Sequence, residues 1–566
     1  MKITIEDEAD ERVAEAIATA VSTHLGQQVT IVTDNGDVVA GDGDTEADYD
    51  GVIVTKREER LREDISTILE GGPERGFKRI QELGKLFVRD RLELIFDEVT
   101  YEDGTFASYD RDEQLPADGV VTGVGTIHGR EVFFTANDYT VKAGSGGAIG
   151  NEKIIRTMQR AQRANAPILN LIDSTGARLS PEERSEGETH ADRYTGGKSF
   201  FRQSRNSGQI PQIGVLYGPD IAGSAYTPVF CDFLIMVKQI GAMAIASPRI
   251  VEAMTGEEAS MEELGGWRVH AEHSGSVDIV VDSEKAAAER VRQLLTYLPQ
   301  NYAAELPDRD PRPAERNPRS LDAVFPEDTT SPYDVHEVID HIVDRDTWYE
   351  LKPRFAPELV TGFARIDGQT VGIVANQPDT ASGAIFPDSA EKGAGFVWIC
   401  DAFGIPLVFL CDTPGFMIGS QVEREGILQK GRKMIFATSN AQVPKFCVIT
   451  RKAYGAGIFA MCGPAFEPDS TLAFPTTEIA VMGPEAAVQA MFAKEIAGIG
   501  DEEERQEFIE EMKDEYRKDI RKQASKLQVD ELIPAGDLRV QLSARLAAYQ
   551  DKGREDPDRY HGSILF

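Results

Sequence analysis

Apolar residues form two kinds of run along the chain. Short runs rich in β-branched and aromatic residues, EVFFTA, PILNLID and QIGVLYG, predict buried strands, and the mixed stretch NEKIIRTMQRAQRAN predicts a helix among them. The pattern returns later as TVGIVAN, PLVFLCD and FCVIT around the helical stretch SAEKGAGFVWICDAFG. Strands that alternate with helices in this way predict a largely parallel α/β core.

The two sets of elements match in register. GREVFFTAND and LIDSTGAR resemble GQTVGIVANQ and LCDTPGFM, and both matches lie 239 positions apart in the chain (129 to 368 and 171 to 410). Farther on, IPQIGVLYGPDIAGSAY matches VPKFCVITRKAYGAGIF 233 positions later (210 to 443), which implies one insertion or deletion between the matches. A register held over this length predicts two copies of one fold.

Two segments differ in composition from these copies. Residues 1–55 are acidic and predict a small α/β extension, with a helix in DEADERVAEAIATAVSTHL and a strand in QQVTIVT. This extension could equally dock a partner or serve as solubilising cover. Residues 305–334 are dense in Pro, Arg and Asp, a composition typical of a linker. The linker would therefore separate a first domain, 56–304, from a second domain, 335–566.

The net charge of the chain excludes some classes of binding partner. The formal net charge is −35 and is spread along the chain, so the surface repels nucleic acid and anionic lipid. We interpret this charge as a halophilic adaptation to a salt-rich cytoplasm; the alternative is a binding face for one cationic partner, which would need clustering. The N-terminus MKITIEDEAD is acidic, no apolar run approaches the roughly 18 residues of a membrane span, and the five cysteines form no CxxC pair. These features predict a cytoplasmic protein with reduced cysteines.

Each copy places small residues after an equivalent strand. Gly223 and Ser224 follow QIGVLYGPDIA, and Ala456 and Gly457 stand 233 positions later, after FCVITRKAYG. Backbone N–H groups in such a turn are unpaired and converge, which is how an oxyanion is held. Tight packing of the strand against the following helix is the alternative explanation. Because the two turns occupy matched positions, we favour a pair of oxyanion sites.

Other motifs that carry chemistry are incomplete. GSGGAIGNEK lacks the GxGxxG spacing, and neither GxxxxGK[ST] nor GxSxG occurs. HAEH (270–273) lacks a third ligand set, so we predict a surface loop there and no metal site. Two oxyanion sites without a nucleophile or an acid–base pair fit carboxyl transfer from carboxybiotin to an acyl-CoA. Loss of CO2 leaves a ureido anion at one site, and this anion takes the α-proton of the thioester. The resulting enolate is stabilised at the other site and captures the CO2.

The chain also resembles the carboxyltransferase (β) subunits of biotin-dependent acyl-CoA carboxylases, of the propionyl-CoA and methylcrotonyl-CoA carboxylase type. The resemblance runs from about residue 83 to the C-terminus and rests on GSGGAIGNEKI, DSTGAR, IPQIGVLYGPDIAGSAYTP, MTGEEASMEELGG, HSGSVD, LLTYLPQN, YELKPRFAPELVTGFARIDG, DTPGF, RKAYGAG, EIAVMGPEAA and HGSILF. It implies an α/β fold made of two tandem crotonase-like (ClpP/crotonase) domains. It also implies carboxyl transfer to the α (or vinylogous) carbon of a short-chain acyl-CoA such as propionyl-CoA.

The resemblance assigns roles to the two turns. Gly223 and Ser224 match the pair that holds the thioester oxygen of the acyl-CoA, and Ala456 and Gly457 match the pair that holds the ureido oxygen of biotin. CoA is therefore expected along the first domain and biotin along the second. Ser224 stands where the family usually has a second glycine, but its N–H remains available.

Three further positions are candidates for substrate binding. Lys153 and Arg178 lie in matching segments and are expected near CoA, although a solvated helix position would also explain Lys153. Phe459 stands two positions beyond the biotin pair, where propionyl-type enzymes carry Asp. It is expected to fill part of the acyl pocket and to select the acyl group; the alternative is a core residue that faces away.

The expected partner chains are inferred from the motifs that this sequence lacks. EEMKDEYRK predicts a charged helix rather than a biotinylation hairpin, and no glycine-rich ATP-binding module occurs, so separate biotin carboxylase and biotin carboxyl carrier chains are expected. The resemblance implies a homo-hexamer, a dimer of trimers with active sites between subunits. The alternatives are the carboxyltransferase of a decarboxylase of the glutaconyl or methylmalonyl type, and a non-catalytic assembly subunit. An enoyl-CoA hydratase or isomerase would need catalytic carboxylates that we cannot place.

Overall fold

A computed structural model describes residues 2–4, 29–32, 38–41, 54–109, 115–178, 196–328, 330–517 and 519–554. The chain forms two compact units, Met1–Thr67 and Ile68–Phe566. In the first unit, β1 (Lys2–Thr4), β2 (Val29–Val32) and β3 (Val38–Gly41) form one sheet, in which β1 is parallel and β3 antiparallel to β2. The predicted strand in QQVTIVT is confirmed as β2, whereas the predicted helix before it lies outside the described residues.

The larger unit begins with helices and a mixed sheet. The strands of its first half are β4 (Glu98–Asp103), β5 (Val120–Ile127), β6 (Arg130–Asn137), β7 (Ile168–Ile172), β8 (Gln212–Leu216), β9 (Pro219–Ile221), β10 (Phe233–Val237), β11 (Ala242–Ala244) and β12 (Ile279–Val281). Among the described residues, seven of them form a sheet in the order β12-β10-β8-β7-β6-β5-β4, and β9 pairs with β11. The β4-β5 and β5-β6 pairs are antiparallel and the other pairs are parallel.

The helices of this part of the chain are, in chain order, α1 (Lys56–Leu69), α2 (Glu74–Glu82), α3 (Val88–Ile95), α4 (Ala148–Ala164), α5 (Gly196–Asn206), α6 (Tyr226–Val229), α7 (Pro248–Thr255), α8 (Met261–Gly265) and α9 (Glu284–Leu295). Most of α1 belongs to the first unit. Helix α4 is the one predicted from NEKIIRTMQRAQRAN, and it ends at Asn165, whose φ of +51° stops the helix in a left-handed cap. Strands β7, β8 and β10 are buried at every position, which explains their continuous apolar runs.

A second sheet follows with the same plan. Its strands are β13 (Tyr349–Leu351), β14 (Leu359–Ile366), β15 (Gln369–Asn376), β16 (Leu407–Thr413), β17 (Lys445–Tyr454), β18 (Ser470–Ala473), β19 (Glu478–Ala480) and β20 (Glu531–Leu532). They pair in the order β13-β14-β15-β16-β17-β18-β20, and β19 pairs with the end of β17. The helices are α10 (Val335–Ile342), α11 (Pro387–Ala402), α12 (Ser420–Arg424), α13 (Ile427–Asn440), α14 (Gly457–Ala460), α15 (Pro484–Met491), α16 (Ala493–Gly498), α17 (Glu502–Tyr516), α18 (Ile520–Ala524) and α19 (Leu538–Ala548).

The two sheets agree in detail as well as in order. The end of β17 pairs with β19 as β9 pairs with β11. Non-glycine residues with left-handed backbone also recur: Ala117 and Ala356 have φ of +50° and +45°, and Ala143 and Ser382 have φ of +54° and +57°. Each pair is separated by the 239 positions that the sequence register predicts.

Residues 305–334, the predicted linker, are partly packed. Leu321 lies in the short 3-10 helix Pro318–Val324 and, with Phe325 and Tyr333, is buried in the core of the second sheet. The guanidinium of Arg365 donates to the carbonyl oxygens of Thr296 (2.5 Å) and Pro307 (2.9 Å). The segment is therefore tied to the second half of the unit by apolar burial and by backbone acceptors.

Candidate active site

The first candidate turn follows β9. Beyond Pro219–Ile221 the chain turns through the 3-10 helix Ala222–Ala225 and enters α6. Ala222 has a φ of +67°, a left-handed conformation that residues with a Cβ rarely adopt. This residue immediately precedes Gly223 and Ser224, so the predicted donors stand at a sharp change of chain direction.

The N–H of Gly223 is unused. In the described part of the chain, no residue accepts a hydrogen bond from it. Gly223 is exposed, and a Cβ added to it would meet nothing within 4 Å. Ser224 lies inside the 3-10 helix, where the i→i+3 pattern directs its N–H toward the Ile221 carbonyl oxygen, and its hydroxyl donates to the same oxygen (2.9 Å). At least the Gly223 donor is thus available to an oxygen atom of a ligand.

The second candidate turn follows β17. Gly455 has a φ of +55°, and its N–H donates to the Ala480 carbonyl oxygen (3.0 Å) at the end of β19. Ala456 is exposed, and α14 begins at Gly457. No described residue accepts a hydrogen bond from the N–H of Ala456 or Gly457. The left-handed Gly455 stands 233 positions after the left-handed Ala222, so the turns are alike in conformation as well as in position.

Gly223 and Gly457 differ in whether packing within the chain requires a glycine. A Cβ on Gly457 would come within 2.8 Å of the Gly415 Cα and 2.9 Å of the Thr413 Cγ2, so packing within the chain requires glycine there. The packing explanation therefore accounts for Gly457. It does not account for Gly223, where the space beside the backbone is open. No contact within the described chain requires the absence of a side chain at Gly223.

A loop from the neighbouring strand closes against each turn. Gly176, in DSTGAR, has its hypothetical Cβ 3.3 Å from the Ile221 carbonyl oxygen, and Gly415, in DTPGF, has its own 3.2 Å from the Tyr454 carbonyl oxygen. The two loops are 239 positions apart, and the residues that they approach are 233 positions apart. The matching segments of the sequence thus meet at the same place in both halves.

Buried carboxylates anchor these loops. Asp173 accepts salt bridges from the Lys85 Nζ (2.6 Å) and the Arg91 Nη1 (2.8 Å), and its side chain is fully buried. Asp412 is equally buried and binds the Nε of Arg451 (2.7 Å), with the Lys452 Nζ at 3.4 Å. Each loop therefore begins at a carboxylate that is neutralised inside the protein.

Lys153 points inward. Its side chain is 8% exposed, and its ammonium donates to the carbonyl oxygens of Ala117 (2.9 Å) and Val120. Burial lowers its pKa to about 8. Lys392, 239 positions later, donates to the Lys352 (2.9 Å) and Phe355 (2.8 Å) carbonyl oxygens in the same way. The alternative of a solvated helix position is therefore wrong, because backbone carbonyls draw the lysine off the solvent face.

Arg178 lies beside the same segment. Its Nη1 pairs with the Asp118 Oδ1 (2.7 Å) and its Nη2 donates to the Asp118 carbonyl oxygen (2.8 Å). The Asp118 Oδ2 accepts the N–H of Gly150 (2.6 Å) at the start of α4, the helix that carries Lys153. The structure thus brings Lys153 and Arg178 together around residues 117–120, and their expected contact with CoA stays a prediction.

Phe459 is not a core residue. Its side chain is 38% exposed, and its ring stacks on Phe466 with centroids 5.5 Å apart and planes 19° apart. Further exposed apolar side chains stand on the segments that flank the second turn: Met417, Ile418, Val481 and Met482. The alternative in which Phe459 faces into the core is wrong, and its role in choosing the acyl group stays a prediction.

Some residues around the site were not singled out from sequence. Asn137 Oδ1 accepts the N–H of Asp173 (3.3 Å), and Asn376 Oδ1 accepts the N–H of Asp412 (3.2 Å), so each amide fixes an anchoring carboxylate. Their shared register was a usable signal. Asp118 offers no such signal, because residue 357 at the matched position is proline.

The predicted loop at HAEH is also wrong. Val269–His273 forms a turn of π-helix, and the His270 Nε2 contacts the Met243 carbonyl oxygen (2.8 Å). Within the described ranges, no group of three or more His, Cys, Asp or Glu side chains could hold a metal ion. Over the same ranges, no helix is both long and apolar enough to cross a membrane.

Comparison with known proteins identifies the family of this chain. The carboxyl transferase domain family matches residues 79–564. The uncharacterized carboxylase YngE of Bacillus subtilis is 48% identical over 510 residues, covering 90% of this chain and 97% of the relative. The propionyl-CoA carboxylase carboxyltransferase subunit of Haloferax mediterranei is 37% identical over 522 residues, covering 90% of this chain and 99% of the relative.

Comparison with solved structures identifies the same family. A transcarboxylase 12S crystal structure, described as a hexamer assembly with methylmalonyl-coenzyme A and methylmalonic acid bound, has a TM-score of 0.83 and 38% identity; the match covers 91% of this chain and all of that one. Its mixed α/β fold with parallel sheets is therefore shared by this protein. The chain belongs to the carboxyl transferase domain family and is a carboxyltransferase of the biotin-dependent acyl-CoA carboxylase and transcarboxylase class.

Proposed function

We propose that this chain transfers the carboxyl group of carboxybiotin, carried on a partner chain, to the α (or vinylogous) carbon of a short-chain acyl-CoA such as propionyl-CoA. In this proposal the N–H groups of Gly223 and Ser224 hold the thioester oxygen, and those of Ala456 and Gly457 hold the ureido oxygen of biotin. One observation carries it: two turns at matched positions follow β9 and β17, and the N–H groups of Gly223, Ala456 and Gly457 in these turns have no acceptor among the described residues.

We further propose that the two sheets are tandem crotonase-like domains, over 56–304 and 335–566, joined by residues 305–334 and preceded by an acidic extension, 1–55. The common strand order and the recurring left-handed positions support this division. Two copies of one fold explain why a chain without an evident nucleophile has two sites for oxyanions.

On the acyl-CoA side, the chain acts by binding and by stabilising charge. Two backbone donors at Gly223 and Ser224 would shorten their hydrogen bonds as negative charge develops on the thioester oxygen. The cost of orienting these donors is met during folding, by the left-handed Ala222 and by the bond from the Ser224 hydroxyl to the Ile221 carbonyl oxygen (2.9 Å). In the proposed roles, Lys153 and Arg178 would shape the segment 117–120 beside CoA.

The second turn fits biotin. Its N–H pair suits a ureido oxygen, and the exposed apolar side chains of Met417, Ile418 and Val481 suit the hydrocarbon part of the ring system. Biotin, when bound as carboxybiotin, supplies the CO2 and then the base for the α-proton. The protein residues hold the group in place, exclude water and keep the negative charge on an oxygen atom.

We propose that the chain works in a homo-hexamer with separate biotin carboxylase and biotin carboxyl carrier chains. Support comes from the 12S structure, whose description is of a hexamer assembly.

A decarboxylase role is the second candidate. The methylmalonyl-CoA decarboxylase subunit alpha of Veillonella parvula is 36% identical over 526 residues, covering 90% of this chain and 99% of the relative. The same two turns would serve the reverse reaction, because each stabilises an oxyanion that both directions share. A non-catalytic assembly subunit would have no need for unused N–H groups at both turns.

Turnover of the assembled complex tests the proposal. Acetyl-, propionyl-, butyryl- and methylcrotonyl-CoA would be supplied with ATP and labelled bicarbonate, and we expect acyl-CoA-dependent fixation, fastest with a short-chain substrate. Avidin, which sequesters biotin, is the control and should abolish fixation. Release of CO2 from methylmalonyl-CoA, without fixation on any acyl-CoA, would favour the decarboxylase instead.

Phe459 should set the choice of acyl group. In Phe459→Ile, the relative kcat/KM values of the acyl-CoA series are expected to shift by about 10- to 200-fold, the range that about one methylene of fit provides. The ring is part of a stack on Phe466, so Phe466→Leu is the control that disturbs the stack from the other side. An unchanged substrate ranking in Phe459→Ile, together with lowered thermal stability, would contradict this role.

A further inference from the structure

A buried carboxyl group lies three residues before the thioester-binding pair. Asp220 is the central residue of β9, pairs with Met243 of β11 and is 1% exposed. The turn that follows begins two residues later, at the left-handed Ala222. No motif of the sequence singles out this residue, and the mechanism above does not use it.

Among the residues that the structure describes, Asp220 has apolar neighbours and no counter-ion. Burial raises its pKa to about 7, and the only opposing influences are hydrogen bonds with Ser224 and with the N–H of Ile221. Its Oδ1 is buried and has no hydrogen-bond partner among the described residues. Met243, beside it, belongs to an apolar cluster that also includes Leu216, Ala225 and Trp267. A bare carboxylate is costly in such a place, which favours the neutral acid.

The Ser224 hydroxyl can serve only one acceptor at a time. It donates its proton to the Ile221 carbonyl oxygen (2.9 Å), so its own lone pairs remain free to accept. The Asp220 carboxyl interacts with the Ser224 hydroxyl, so a neutral Asp220 can donate its acid proton to that hydroxyl oxygen. An ionised Asp220 cannot donate, and would draw the hydroxyl proton away from the Ile221 carbonyl oxygen. The hydrogen bond that closes the turn therefore depends on the state of Asp220.

We propose that Asp220 is a positioning residue, which in its neutral form donates a hydrogen bond to the Ser224 hydroxyl and thereby holds the Gly223–Ser224 donors in place. Ionisation of Asp220 opens the turn and puts a negative charge beside the thioester oxygen, so the enolate forms more slowly. The inference rests on the proposed role of this turn in binding acyl-CoA.

The second half of the chain has no such device. The position 233 residues after Asp220 is Ala453, in the middle of the end of β17 that pairs with β19. The sensitivity to ionisation is therefore confined to the acyl-CoA side. By contrast, Asp173, which anchors the loop against the same turn, is matched by Lys85 and Arg91.

The other titratable groups near β9 lie on the elements packed around it. Lys85 and Asp173 neutralise each other beside Gly218, at the start of the turn segment. His270 contacts the carbonyl oxygen of Met243, and burial lowers the pKa of its imidazole. None of these groups is a counter-ion for Asp220.

The test measures kcat for acyl-CoA carboxylation in the assembled complex from pH 6.5 to 8.5. It compares Asp220→Asn and Asp220→Ala with the wild type. Asparagine keeps a donor toward Ser224 and does not titrate, so the ratio of its kcat to that of the wild type should rise at least about tenfold across this range. Alanine supplies no donor, so its kcat should be low at every pH. The ratio cancels the effect of pH on other steps.

Asp232→Asn is the matched control. Burial raises the pKa of Asp232 to about 7 as well, but its carboxylate accepts the N–H of Gln212 (2.8 Å) at the far end of β8. The ratio of the kcat of Asp232→Asn to that of the wild type should not change with pH. A ratio for Asp220→Asn that is equally flat overturns the proposal.

A failure of this proposal can be distinguished from a failure of the proposed function. If neither Asp220 variant folds, the wild-type kcat alone decides, and a value that does not fall between pH 7 and 8.5 overturns the proposal. A wild type that carboxylates no acyl-CoA at pH 7 instead contradicts the proposed function.

Discussion

Gly223→Pro should lower the rate of acyl-CoA carboxylation by about 10²- to 10³-fold, the usual cost of losing one oxyanion-hole donor. Proline has no N–H, so the thioester oxygen would keep only the Ser224 donor. The loss can be larger, because Ala222 would precede a proline, and its left-handed φ of +67° is incompatible with the extended backbone favoured there. Steady-state kcat in the assembled complex is the measurement.

Gly223→Ala is the control for this variant. It keeps the N–H, and its Cβ would meet nothing within 4 Å in the chain. A fall in kcat much smaller than that of Gly223→Pro shows that the donor, and not the side-chain volume, matters. Turnover of Gly223→Pro within a few-fold of the wild type would mean that the turn is only a connection between β9 and α6.

Asp173→Asn should destabilise the protein by about 3–5 kcal/mol, the usual cost of removing one partner from a buried ion pair. The amide would leave the Lys85 ammonium without its carboxylate, and Arg91 with Glu284 as its remaining anionic partner (2.5 Å). The side chains of Lys85, Arg91 and Asp173 are each at most 2% exposed, so water cannot take the place of the lost carboxylate charge. The shift in the midpoint of thermal or denaturant unfolding measures the effect.

An exposed pair provides the comparison for Asp173→Asn. Lys78 and Glu74 are 2.9 Å apart on α2, with side chains 68% and 83% exposed. Glu74→Gln should change the stability by less than about 1 kcal/mol, because solvent screens such pairs. If Asp173→Asn unfolds at the same midpoint as Glu74→Gln, the buried carboxylate does not anchor the loop.

The sequence predicted the central strands and helices well because burial on both faces leaves continuous apolar runs. It did not predict β4, whose residues are mostly exposed or half-buried, so no apolar period marks EVTYED. The register of the two copies predicted that the two turns would stand at matched positions, but not which loops close against them. It could not show that Gly457 is required by Gly415 while Gly223 faces open space, because such contacts join distant parts of the chain.

Buried charged residues were the least predictable part of the site. Lys153 stands on a helix in a polar stretch, and only the carbonyl oxygens of Ala117 and Val120 explain its burial. Asp220 reads as a turn residue in GPDIAGS, yet β9 buries it against Met243. In both cases tertiary acceptors and apolar neighbours, which no local pattern records, decide where a charged side chain goes.

The binding position of the thioester oxygen can be measured in a structure of the assembled complex with an acyl-CoA bound, determined by electron cryomicroscopy. We expect this oxygen to lie about 2.7–3.1 Å from the backbone nitrogens of both Gly223 and Ser224, the range of an oxyanion-hole contact. An acyl-CoA whose thioester oxygen lies away from this turn would contradict the proposed role of Gly223 and Ser224.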